Sequence, residues 1–66
     1  MPALGRGLDL LDRLRLAGAP MTAGELTDAL DLPRTTVHEL LRTLVAHACV
    51  EVVDGTPRRY RLGLRM

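Results

Sequence analysis

Leu32-Pro33-Arg34-Thr35-Thr36-Val37-His38-Glu39-Leu40-Leu41-Arg42-Thr43-Leu44 separates into two edges when wound as a helix. Val37, Leu40, Leu41 and Leu44 recur at three- and four-residue steps and form an apolar edge. Thr35, His38, Glu39 and Arg42 form a second edge built only of hydrogen-bonding groups. Pro33 suits the first turn, where a missing amide costs nothing. The spacing predicts a helix over 33–47, buried along one side and free to make polar contacts along the other.

Upstream, Asp31-Leu32 makes a tight turn out of a shorter helix over 23–30. That helix opens on a capping box, in which Thr22 accepts from the Glu25 amide and the Glu25 side chain accepts from the Thr22 amide. Leu26, Ala29 and Leu30 form its inward edge. Ala19-Pro20-Met21 reads as an extended link, because Pro20 biases Ala19 away from helix. Before it, Leu4, Leu8, Leu11 and Leu14 mark a first helix over 4–17, with Gly18 as a left-handed C-cap. Gly5 and Gly7 weaken its first turn. Leu10 and Ala17 widen the apolar stripe beyond the needs of one core, which points to a second contact surface.

Downstream, Cys49–Val53 and Arg58–Leu62 flank a turn at Asp54-Gly55-Thr56-Pro57 and predict a two-stranded ribbon. Alternation puts Tyr60 and Leu62 on one face and Arg59 and Arg61 on the other. The order is helix, helix, helix, hairpin, within one domain spanning 1–66. This is a mainly α fold with a small β-hairpin, the winged helix-turn-helix arrangement of three helices plus a two-stranded wing. Leu8, Leu11, Leu14, Leu26, Leu30, Val37, Leu40, Leu41, Leu44, Val50, Val52 and Leu62 are its expected core.

Composition agrees with a small helical domain. A chain of this length buries only about 60% of the surface its unfolded form exposes, which leaves little room for a catalytic cleft. Fourteen Leu and no Phe or Trp make the interior aliphatic. All nine basic residues are Arg, and they are unevenly spread. Residues 1–33 hold three Arg against five acids, whereas 34–66 hold six against three. The last eleven residues carry four Arg and no acid. Such asymmetry suits a protein that meets a polyanion with one face.

One cysteine, Cys49, precludes an internal disulfide and fits a reducing cytosol. No apolar run reaches the length of a membrane span, so the expected location is the cytoplasm. His47 and Cys49 are too few to suggest a metal site and read as a helix-end His and a small buried Cys. No nucleophile–base pair or phosphate-binding glycine loop is present. An enzyme is not expected, nor is a cofactor.

The polar edge of helix 33–47 is what a helix-turn-helix lays in the DNA major groove. Thr35 and Thr36 sit in its first turn, where free amides and the dipole attract phosphate, and Arg34 adds a cation beside them. Arg42 can donate two bonds to a guanine, and His38 can bond a base edge or a phosphate. Glu39 either accepts from a cytosine amino group or pairs with a neighbouring Arg, and both readings stay open. Arg58, Arg59 and Arg61 on the wing are positioned for phosphate or the minor groove, or else guard an edge strand with charge. The competing reading is a winged-helix module that binds protein and not DNA. Glu39 and the net charge of +1 favour it, while the Arg-rich second half favours DNA.

Arg6 with Leu8 to Leu11, Thr22-Ala23-Gly24-Glu25-Leu26, Leu32-Pro33-Arg34-Thr35-Thr36-Val37-His38 and Tyr60-Arg61-Leu62-Gly63 together resemble the DNA-binding domain of the isocitrate-lyase-regulator (IclR) family of bacterial transcription factors. The resemblance spans about residues 4–64. Three positions depart from it. Glu39 stands where an Arg is usual, Ala48 replaces a common Gly after helix 33–47, and Cys49 takes the place of a larger apolar residue. The resemblance implies double-stranded DNA as partner, in roughly palindromic operators bound by a homodimer. It also implies a small-molecule effector, bound only through a C-terminal domain absent from this sequence. Whether 1–66 is an excised domain or a naturally short protein stays open.

Overall fold

The computed structural model describes residues 2–63, with side chains from residue 4 onward. Leu64 and Arg65, which entered the resemblance and the count of basic residues, lie outside them. The chain forms α1 (Pro2–Ala17), β1 (Met21–Thr22), α2 (Ala23–Leu30), α3 (Arg34–Ala46), β2 (Val50–Val53) and β3 (Arg59–Leu62).

α1 begins at Pro2, ahead of the expected Leu4, as a proline can in a first helical turn. Gly18 follows it at φ 66°, the left-handed conformation that stops a helix. Thr22 opens α2 through the expected capping box, accepting from the Glu25 amide at 3.0 Å while its own amide donates to Glu25 Oε1 at 2.8 Å. α2 ends on Asp31, also left-handed at φ 54°, which lets the chain turn within two residues into α3. Pro33 is the N-cap of α3, so the helix begins at Arg34, one residue later than predicted, and His47 ends it as C-cap.

The sheet is larger than the expected ribbon. β3 lies in the middle, antiparallel to β2 on one side and to the two-residue β1 on the other. Met21 is opposite Tyr60, and Thr22 is opposite Arg59. The link between α1 and α2 is thus a third strand, and Thr22 both extends the sheet and caps α2. In the other ladder Val50 faces Leu62, and Val52 faces Tyr60.

Leu10, Leu11 and Leu14 of α1, Leu26 of α2, Val37 and Leu41 of α3 and Val50 of β2 are the buried core. Leu30, Leu40, Leu44 and Leu62 pack partly against it. Two expected core residues are outside: Leu8 is 56% exposed and Val52 39%. α1 is turned so that Gly7, Leu10, Leu11 and Leu14 face inward, leaving Leu4 and Leu8 along the edge of an apolar groove against Leu40 and Leu44. Of the two residues that widened the apolar stripe of α1 toward a second contact surface, Leu10 is therefore occupied in the protomer's own core, while Ala17 stays exposed.

Cys49 donates its amide to Leu44 O at 2.9 Å, and Ala48 donates to Val45 O at 3.0 Å. Those two bonds, with Ala48 at φ 60°, are a Schellman motif closing α3, with alanine where glycine is favoured. Ala48 thus holds a left-handed backbone conformation that its Cβ disfavours. Gly63 closes the base of the wing, donating to Cys49 O at 2.8 Å. A Cβ on Gly63 would stand 2.1 Å from Ala48 O, so only glycine lets the two backbones meet.

Candidate nucleic-acid interface

The buried side of α3 carries Val37 and Leu41, flanked by partly buried Leu40, Leu44 and Val45. Its opposite side exposes Arg34, Thr35, His38, Glu39 and Arg42, with Thr36 half-buried at its margin. The two edges expected from the sequence are both present. No side chain caps the start of α3. The amides of Arg34, Thr35 and Thr36 therefore lack the partner that an N-cap side chain supplies, and they sit at the positive end of the helix dipole.

α3 and the hairpin enclose a groove of about 300 Å³, lined by His38, Leu41, Arg42 and Val45 from the helix and Val52, Arg58 and Tyr60 from the wing. Three of the expected contact residues, His38, Arg42 and Arg58, converge on it from two elements. Arg59 and Arg61 do not join them. β3 alternation turns both to the other face of the sheet, where Arg61 Nε donates to Glu51 Oε1 at 3.0 Å. Arg15 pairs with Asp12 on α1 at 2.6 Å. Among the described residues no other ion pair forms, so Arg34, His38, Arg42, Arg58 and Arg59 keep their charge or polar groups available, as does Glu39.

Val52 and Tyr60 were not singled out as site residues. Alternation assigns Val52 to the inner face of the sheet, where it duly lies. It is 39% exposed there because it lines the open groove between α3 and the wing, which no local pattern reveals. His47 is exposed at the end of α3, and the half-buried Cys49 points its thiol toward the His47 carbonyl, Sγ to O 3.8 Å.

Three helices, the second and third joined by a tight turn, followed by a hairpin that shares a cationic groove with the third, define the winged helix-turn-helix class. Residues 3–54 match the family model of the IclR helix-turn-helix domain, a span running from α1 through β2. The chain belongs to that family, whose domain is a DNA-binding module of transcription regulators. No curated protein and no solved structure gave a significant match. Among the described residues no helix is long and apolar enough to cross a membrane.

Proposed function

We propose that residues 1–66 act as one sequence-specific DNA-binding unit of a bacterial transcription regulator, with α3 in the major groove and the β2–β3 hairpin as wing. The observation that carries this reading is the convergence of His38, Arg42 and Arg58, none of them ion-paired, on the groove between helix and wing. A DNA strand backbone laid along that groove would meet cations on both banks and the apolar surfaces of Val52 and Tyr60 on its floor. Arg34, Thr35 and Thr36 then bind phosphate at the open start of α3, fixing register without reading sequence. His38, Glu39 and Arg42 face base edges. Arg58 serves as the principal wing contact, with Arg59 and Arg61 reaching flanking phosphates. The Arg61–Glu51 pair is solvent-exposed and weak enough to exchange for a phosphate.

In this reading the unit carries out no catalysis and works in the cytoplasm, as part of a homodimer on a roughly palindromic operator. Any effector acts through a further domain that these residues do not include. Titrating duplex DNA into isotopically labelled protein tests the assignment. Backbone amides of Arg34–His38 and side-chain signals of Arg42 and Arg58 are expected to shift together. A titration that leaves Arg34–His38 undisturbed would favour a winged-helix module that binds protein.

A further inference from the structure

Glu39 lies two residues from Val37 and two from Leu41, both of which are buried. At about 100° of rotation per residue, these offsets put Glu39 on the line of α3 that points directly away from the core. A helix docked in the major groove carries that line deepest, toward base edges and away from the phosphate walls. His38 and Arg42 are offset toward the wing, where they line the groove with Arg58. Glu39 does not line it, and it forms no salt bridge among the described residues although Arg42 is only three positions away. The outermost line of α3 thus carries an exposed carboxylate that has no ion-pair partner among the described residues.

Resting on the DNA-binding reading above, we propose that Glu39 is a specificity-determining residue that accepts a hydrogen bond from the N4 amino group of one cytosine in each half-site. An ionised carboxylate can only accept. Guanine N7 and O6 and thymine O4 are also acceptors in the major groove, so each of them repels it. Adenine offers an N6 amino group but places the acceptor N7 beside it, against the second carboxylate oxygen. Cytosine presents its amino donor next to a C–H edge and no acceptor. Guanine and thymine leave a desolvated carboxylate unpaired, and adenine sets an acceptor against one of its oxygens, which makes Glu39 a filter against non-cognate DNA as well as a reader of the cognate base.

The test is selection from duplexes with a randomised central segment, using the full chain, Glu39→Gln and Glu39→Ala. Glu39 is exposed, so both variants are expected to fold, which their circular dichroism checks. The native chain should enrich cytosine at one position by at least about fivefold over any other base. Glu39→Gln should move that same position to adenine, because a carboxamide can accept from N6 while donating to N7. Glu39→Ala should lose preference there alone. Unchanged base preferences in both variants, with binding tightened equally on all duplexes, would reduce Glu39 to general charge repulsion and overturn the proposal while leaving DNA binding intact. If the native chain enriches no sequence and binds no duplex in a salt-dependent way, the DNA-binding reading itself falls, and this inference with it.

Discussion

Leu8 and Leu10 are two positions apart on α1 and face different surroundings. Leu10 is fully buried, whereas Leu8 is mostly exposed beside Leu4. Leu10→Ala should cost about 2–5 kcal/mol through lost burial and a residual cavity. A domain of this size seldom holds more than about 3–5 kcal/mol in total, so that variant is expected to be largely unfolded at room temperature. Leu8→Ala should stay within about 0.5 kcal/mol of the native chain. Urea unfolding followed by circular dichroism compares the two, and equal losses would mean that α1 is rotated from the position described. Arg42 sits on the polar edge of α3 and on the wing groove together. Arg42→Ala should cost about 1–3 kcal/mol on the preferred duplex and much less on unrelated ones. Fluorescence anisotropy on both duplexes measures the difference, and equal losses would assign Arg42 to phosphate.

At the scale of elements, the junction from α3 to β2 sets the angle of the wing. Ala48 holds the left-handed position of the Schellman motif, and its Cβ makes that conformation costly. Ala48→Gly should relieve the strain and stabilise the domain by about 0.5–1 kcal/mol, net of glycine's greater freedom in the unfolded chain. For a domain this small the midpoint of thermal unfolding should rise by several degrees. Gly63→Ala should act in the opposite sense. Its Cβ would run into the Ala48 carbonyl, a backbone atom that cannot swing aside, at a cost of about 1–3 kcal/mol. Thermal melts of both variants check the pair. The departure at Ala48 was visible beforehand because a residue type differed at a turn. The partner it meets across the wing, fifteen residues further on, was not.

For the molecule as a whole, the free cations of α3 and the wing make binding an ion-exchange process. With about four phosphates contacted per protomer, affinity should fall on the order of a hundredfold as salt rises from about 50 to 200 mM. The slope of log affinity against log salt measures the number of contacts directly, and a flat slope would speak against a DNA interface. The three helices, their caps and the two edges of α3 were determined by the sequence itself, because periodicity and capping act within a few residues of one another. Thr22 with Glu25, and Val37 with Leu41, are such local signals. Only the tertiary structure decided which leucines of α1 pack inward, that Met21–Thr22 joins β3 as a third strand, and that Val52 stays bare beneath a cationic groove. Each of those depends on the angle at which segments distant in sequence meet. The six leucines of α1 ring much of its circumference, so its own pattern allows several rotations, and contact with α2, α3 and β3 selects one.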